Sequence, residues 1–575
     1  MQEWRVYSKK ADFQALGDQF GIDPVVARII RNRDVIGEDA MNRYLNGGME
    51  DLYSPHIMKD MDEGVKIISE AISKGDRIRI IGDYDIDGIC SIYILFKGMK
   101  KLGATVDYDV PDRVLDGYGI NENLIRKAHD AGVKVIITCD NGIAAISQVE
   151  YAKSLGMKVV VTDHHDVQYE EIDGERRYII PKADAVIDPK REDCEYPFKM
   201  LCGGAVAYKF MQCLYEVMQV DKELLEEFIV FAAIATIGDI VDLQDENRII
   251  VKRGLELIKT TENKGIRALI AINELEPDKI TAYHIGFIIG PCLNASGRLD
   301  TAKRAIELFL SEDRGIAEKY AGELKSLNDE RKKITLNATN EAIEMVENSS
   351  LLNDKVLVVF LPDCHESVAG IVAGRIKEKY YKPTIVLTRG EEGIKGSARS
   401  IEGYNVFEKL MECKDLLTKF GGHPMAAGLS LPEENLSELR TKLNENHGMS
   451  ADDLTQKVWI DVPVPIGYVS YKLIEDMNVL APFGKANEKP IFADKNLVIR
   501  KVSSLGKEGN FTKMYLEKDN GGIEAVGFFD SAELKEAYAN NKRISCTYYP
   551  EVNEFRGNRK LQICVTGYRI EENEV

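Results

Sequence analysis

Residues 77–88 read RIRIIGDYDIDG, residues 134–142 KVIITCDNG, residues 158–166 KVVVTDHHD and residues 185–189 AVIDP. Each is a short Val/Ile run that stops at an acid, and helix-forming stretches separate them. Runs with so little polar alternation suit strands buried on both faces, so the rhythm predicts a parallel sheet covered by helices. In an open parallel sheet, ligands gather where the carboxyl ends of the strands share a rim. Asp83, Asp85, Asp87, Asp140, Asp163, His164 and His165 all fall on that rim.

A further acid, Asp239, follows the apolar helix FAAIATIG at 231–238, and Asp242 lies just beyond it. Carboxylates packed this closely cannot all ionise unless a cation lies between them. Mixed carboxylate and imidazole donors favour Mn²⁺, Mg²⁺ or Fe²⁺ over thiolate-seeking zinc. Two ions ~3.5 to 4 Å apart can acidify a bridging water and stabilise the attacking and leaving oxygens at phosphorus, so the expectation is two divalent ions. Asp112, Asp116 and Asp188 read as turn caps.

The chain has 575 residues, which suggests roughly three to five domains. Hydrophobic residues make up 44% and charged residues 29%, which excludes a disordered or fibrous protein. No stretch approaches the ~20 apolar residues of a membrane span, and MQEWRVYSKKADF has no secretory pattern. A soluble cytoplasmic protein is expected, with no membrane partner. The ten cysteines are scattered and read as buried free thiols. The formal net charge of −19 argues against a globally positive surface, so any polyanion must meet a local basic channel.

The expected architecture is α/β. Residues 1–54 read as a helical leader, 55–300 as the parallel-sheet lobe, 301–350 as a long connector helix rich in Lys, Glu, Ala and Leu, and 351–457 as a smaller α/β lobe. From 458 to 575 the pattern changes to alternating strands with polar turns, which suits a small oligonucleotide-binding (OB) β-barrel or a β-sandwich. In that region Phe511, Tyr515, Phe528 and Phe529 offer stacking faces, and Lys513, Arg556, Arg559 and Lys560 could follow a phosphate backbone.

GDYDIDG, ITCDNG, VTDHHD and ATIGDIVDL, followed by GPCLNASGRL, HESVAGIVAGRI, GSARSIEGYNV and FGGHPMAAG, resemble the motifs of the DHH/DHHA1 phosphoesterases over nearly the whole chain. Within that family the order of lobes is similar to that of the single-strand-specific exonucleases. The resemblance implies that Asp85, Asp87, Asp140, His164 and Asp239 ligate metal, with Asp83 assisting, and that His165 faces the scissile phosphate. Asp83, Asp140 and His165 are then the catalytic set. It further implies that Ser397 and Arg399, with Arg113 and Arg298, hold a terminal 5′ phosphate, and that His423 touches substrate. Relatives such as the pyrophosphatases carry His where this chain has Ile81, so the first ion is expected to lean on Asp83. His365 reads equally as a structural histidine or a substrate contact.

The function implied is a Mn²⁺- or Mg²⁺-dependent 5′ to 3′ exonuclease that hydrolyses single-stranded DNA to 5′-mononucleotides in repair and recombination. Single-strand-binding protein and a helicase are the implied partners, and the protein is expected to act as a monomer. One alternative is phosphodiester hydrolysis of oligoribonucleotides or other phosphoesters on the same lobes. Another is a non-catalytic replication or repair scaffold, against which the complete set of acids and histidines argues.

Overall fold

The computed structural model describes residues 2–112, 119–172, 174–390, 393–506, 511–519, 521–555 and 557–572. Five parallel strands form the first sheet, in spatial order Val106–Asp109, Ile78–Gly82, Val135–Cys139, Lys158–Thr162 and Ala185–Ile187. Val106–Asp109 is an edge strand that the apolar-run pattern does not reveal, because VDYD is half polar. Alternate residues of the sheet serve two cores. Ile78, Ile80, Val135, Ile137 and Val160 pack with helices Met61–Lys74, Ile86–Lys101 and Gly203–Val217. Ile81, Ile136, Val159 and Val161 pack with helices Glu122–Asp130 and Ile146–Ser154. Burial on both faces is the reason the other four strands are largely apolar.

Helix Glu226–Gly238 is apolar on every side and lies inside the first core. The stretch 301–350 is a short helix, Lys303–Leu310, followed after a break at Ser311 by the 34-residue helix Arg314–Glu347, about 50 Å long. The Asp313 side chain caps the long helix by accepting from the Ile316 N–H. Ala317, Ala321 and Leu324 bury its first half in the first lobe, and Ala338, Ala342 and Val346 bury its second half in the next. It is therefore a shared wall of both lobes as well as a spacer.

The second lobe is a five-stranded sheet in the order Lys419–His423, Ala426–Leu431, Ile394–Arg399, Thr384–Arg389, Leu357–Phe360. Helix Glu366–Tyr380 packs on it. The C-terminal strands close as a barrel: Phe492–Leu505 pairs with Phe511–Lys518 on one side and with Arg543–Phe555 on the other, and Gly521–Gly527 and Asn558–Ile570 complete the circuit. Closure removes the free edges a sandwich would keep and settles the topology as OB-like.

The N-terminal residues do not stand apart. Val26, Ile29, Ile30, Met41 and Tyr44 lie in the barrel's own core, and strand Gln2–Val6 pairs in parallel with Gln456–Ile460. Arg33 makes a buried ion pair with Asp461 at 2.6 Å. Arg248 of the first lobe, 1% exposed, donates to the carbonyl oxygens of Tyr44, Val479 and Leu480. A buried guanidinium satisfied by three carbonyls fixes the barrel to the first lobe, because separating them would strand the charge. No helix among the described residues is long and apolar enough to cross a membrane.

Candidate metal centre

Gly82, Cys139 and Thr162 are paired in register on adjacent strands, so the residues that follow them, Asp83, Asp140 and Asp163, emerge in one row. Thr162 pairs with Ile187 in turn, which sets Asp188 at the end of that row. Asp85 caps helix Ile86–Lys101, its carboxylate accepting from the N–H groups of Asp87 and Gly88. Asp87, fully buried, accepts from the N–H groups of Gly203 and Gly204 at 2.7 and 2.6 Å, which begin helix Gly203–Val217. Those glycines are required by crowding: a Cβ on Gly203 would lie 2.8 Å from that of Asp140, and one on Gly204 would lie 2.6 Å from that of Ala235. Asp140 itself holds a left-handed backbone with φ 58°, an arrangement Asp tolerates better than most residues. Asp239 caps the end of helix Glu226–Gly238.

These placements bring the predicted ligands together. The donor atoms of Asp83, Asp85 and Asp140 lie within 4.8 Å of one another, as do those of Asp87, His164 and Asp239, and those of Asp140, His164 and His165. His164 Nε2 is 3.0 Å from Asp140, 3.5 Å from Asp87 and 3.7 Å from Asp239. Asp163 faces the other way. One of its oxygens accepts from the Ile143 N–H, and the other takes the His164 N–H and meets His165 Nδ1 at 2.7 Å. It orients His165.

The electrostatics separate the same roles. Burial, then repulsion from Asp85, pushes Asp83 well above the carboxylate range and Asp87 to about 7. Burial followed by Asp87 and Asp85 pushes Asp140 well up and Asp239 to about 8. Burial lowers His164 to about 3, so it is a neutral imidazole. Burial opposes charge on Asp163 and His165 too, but their mutual attraction wins and holds them at about 2 and about 9. Asp83 Oδ1 is buried with no hydrogen-bond partner among the described residues. An acid cage that cannot ionise alone, one orphaned carboxylate oxygen and one neutral imidazole fit a hard or borderline divalent cation.

Several expectations change. Asp242 does not join the cage; it pairs with Lys485 of the barrel lobe at 3.1 Å. Asp188 is more than a turn cap: one oxygen accepts the Lys190 N–H, the other is buried without a partner among the described residues, and burial with Asp163 beside it raises the group to about 7. Ile81 points into the apolar core on the far face of the sheet. His365 caps helix Glu366–Tyr380, its Nδ1 meeting the N–H and hydroxyl of Ser367.

On the second lobe, Ser397 and Arg399 alternate along one strand, and Arg399 pairs through Ala426 with the row of His423, so all three share a sheet face. Arg399 Nη2 lies over Gly370, where a Cβ would come within 2.8 Å. Ser397 lines a cavity of about 430 Å³ with Lys395 and Lys419. Arg298 bridges the lobes, donating to the Ser367 carbonyl at 2.6 Å. His423 reaches back electrostatically to Asp166, the residue after His165. Arg113, with Asp116, lies outside the described residues, as does Arg556.

Sequence reasoning missed Asn141, whose amide ties the Ile81 and Cys139 carbonyls and accepts from the Ile120 N–H, and Asn294, which receives the Ile86 N–H. The N after D in CDNG and the N of LNASG were the available signals. It also missed a cavity of about 840 Å³ beside Asp239, lined by Thr236–Gly238, Tyr283, Phe287 and the barrel segment 481–485. Tyr283 and Phe287 are 61% and 68% exposed and stack at 4.9 Å. In the barrel Phe511 and Phe528 are exposed and adjacent, whereas Phe529 packs on Tyr568 against the barrel core.

Family profiles match three segments: the DHH family N-terminal domain at residues 77–236, the DHHA1 domain at 353–447 and the RecJ OB domain at 460–567. The chain is 37% identical to the single-stranded-DNA-specific exonuclease RecJ of Bacillus subtilis (strain 168), over 99% of this chain and 71% of that protein. It is 31% identical to the protein of the same name from Escherichia coli (strain K12), over 95% of each. Among solved structures, RecJ from Thermus thermophilus in complex with Mn²⁺ superposes with a TM-score of 0.84 at 24% identity, covering 99% of this chain and 80% of that one. A second, exonuclease RecJ bound to manganese, has a TM-score of 0.60 at 29% identity, covering 69% and 96%.

Proposed function

This chain belongs to the RecJ family of DHH phosphoesterases and is a hydrolase, and from that premise we propose that it degrades single-stranded DNA from the 5′ end, releasing 5′-mononucleotides during repair and recombination. The observation that carries the reading is the acid cage of Asp83, Asp85, Asp87, Asp140, His164 and Asp239 at one strand rim, with Ser397, Arg399 and His423 on a shared face of the neighbouring lobe.

The cage divides into two overlapping donor sets that meet at Asp140: Asp83 with Asp85, and Asp87 with His164 and Asp239. Two Mn²⁺ or Mg²⁺ ions fit that division. Divalent ions held by these donors would supply Lewis acidity at the phosphoryl oxygens and lower the pKa of a bound water. The chain's own groups do the rest. His165, kept protonated by Asp163, points a charge-assisted donor at oxygen charge developing on phosphorus, with no reorganisation at the moment of reaction. Ser397, Arg399 and Arg298, with Arg113, grip the terminal phosphate and set the polarity, since a guanidinium matches phosphate oxygens bidentately. Tyr283 and Phe287 offer stacking faces to unpaired bases, which a duplex keeps stacked inside itself. The same reading makes the protein a cytoplasmic monomer that meets ends exposed by a helicase and covered by single-strand-binding protein.

The test is digestion of end-labelled single strands of each polarity with Mn²⁺, Mg²⁺ or chelator. Release of mononucleotides from the 5′ end only, abolished by chelator, is expected. Release from the 3′ end, or cleavage that survives chelation, overturns the reading.

A further inference from the structure

The cage concentrates negative charge where a negative phosphate must enter, and beside it stands one lysine that the reading above leaves without a task. Lys190 follows Asp188 and Pro189 at the carboxyl end of the last strand of the sheet, on the rim that carries the cage. Its position is fixed twice: Pro189 locks the preceding backbone, and the Lys190 N–H is held by the buried Asp188 carboxylate at 2.7 Å. From there the ammonium reaches Asp166, the residue after His165, at 3.0 Å. The Lys190 side chain is 24% exposed and that of Asp166 68%. A pair so open on its acid side is weak and readily exchanged, so little is lost when the ammonium turns to another anion. Its charge is felt by His164 and Asp239, two of the cage donors, and by Asp188.

We propose that Lys190 is a substrate-binding residue of this centre, parked on Asp166 in the free protein and transferred to a phosphate oxygen of the bound strand beside His165. The proposal rests on the reading of the centre as a phosphodiester hydrolase. The ammonium neutralises a charge that the phosphate carries both before and during reaction, so it lowers KM and leaves kcat nearly unchanged.

The experiment measures steady-state cleavage of a 5′-phosphorylated oligothymidylate with saturating Mn²⁺ for wild type, Lys190→Met, Lys190→Arg and Asp166→Asn, each checked by thermal melting. A charge-assisted hydrogen bond removed from a phosphate predicts a KM raised about tenfold or more in Lys190→Met, with kcat within about threefold. Lys190→Arg, which keeps the charge, restores KM to within about threefold. The slope of log KM against log salt falls by about 0.7 in Lys190→Met, the signature of one lost contact to a single strand. Asp166→Asn frees the ammonium and lowers KM. An unchanged KM in Lys190→Met, in an enzyme that otherwise cleaves, overturns the proposal and leaves the functional reading intact. So does a KM rise in Asp166→Asn equal to that of Lys190→Met, because the lysine would then serve only to hold the loop. A wild type that fails to cleave single strands removes the functional reading, and this proposal with it.

Discussion

Loading the cage with Mn²⁺ should release protons, in a number that the burial of its acids sets. Burial and Asp85 hold Asp87 at about 7, and burial with Asp87 and Asp85 holds Asp239 at about 8. At pH 7 these two carboxyls carry about one and a half protons between them, and at pH 9 about a tenth of one. Burial and the neighbouring acids raise Asp83 and Asp140 in the same direction, so any proton they hold adds to the release. His164, lowered to about 3, is already neutral and contributes none. Carboxylates bind metal in the ionised form, so calorimetric titration in two buffers of different ionisation enthalpy should count at least about one and a half protons per protein at pH 7, falling by about one or more at pH 9. Stability must follow the same linkage. A carboxyl whose pKa is raised on folding binds more protons in the native chain between about pH 4 and pH 8, so the metal-free protein loses stability as pH rises through that window. At ~1.4 kcal/mol per pKa unit, the shift of Asp87 alone costs the metal-free fold on the order of 4 kcal/mol by pH 8, and Asp239, part of whose shift comes from Asp87 itself, adds to that cost. The gain in Tm on adding Mn²⁺ should accordingly be larger at pH 8 than at pH 5. Metal binding with no proton release at pH 7, together with metal-free stability that is flat from pH 5 to pH 8, would refute the reasoning.

Asp140→Ala removes the acid common to both donor sets; it should abolish cleavage and weaken Mn²⁺ binding while oligonucleotide affinity, read by fluorescence anisotropy, stays close to wild type. Gly203→Ala forces its new methyl against Asp140 and should cost about 1–3 kcal/mol in denaturant melts, with Mn²⁺ affinity lost as well. Asp163→Asn withdraws the charge that holds His165 at about 9; a return toward about 6.5 should cut the imidazolium population at pH 8 about thirtyfold and move the alkaline limb of the pH–rate profile down. Arg248→Met leaves the Tyr44, Val479 and Leu480 carbonyls without their shared donor and should destabilise the protein by about 3 kcal/mol in urea. That arginine also rules out truncation after Lys457 as a clean test of the barrel, since the cut would strip both Arg248 and the N-terminal helices of their packing partners.

Much of the centre was legible because strand-end chemistry is local. A Val/Ile run that stops at an acid predicts both the strand and the placement of the acid, and three such runs sufficed to gather Asp83, Asp140 and the DHH triplet. The glycine pair after Cys202 was visible as text, but its purpose was not, because the atoms it makes room for belong to Asp140 and Ala235, 63 and 31 positions away from their respective glycines. Asp188 reads as a turn cap and Lys190 as nothing in particular for the same reason: the charges that act on them are Asp163, just past the end of the neighbouring strand, and Asp166 on the loop beyond.

The sequence by itself determined the parallel sheet, the acid-bearing rim and the order of lobes, since each follows from periodicity within a few residues and from the fixed direction of a strand. Only the tertiary structure decided which acids share an ion and which serve another role, sending Asp242 to Lys485 and Asp163 to His165. It also decided that residues 24–46 complete the core of a barrel more than 400 positions later. An amphipathic helix states that it must bury a face but not against what, and a buried carboxylate takes its role from the charges that packing sets beside it.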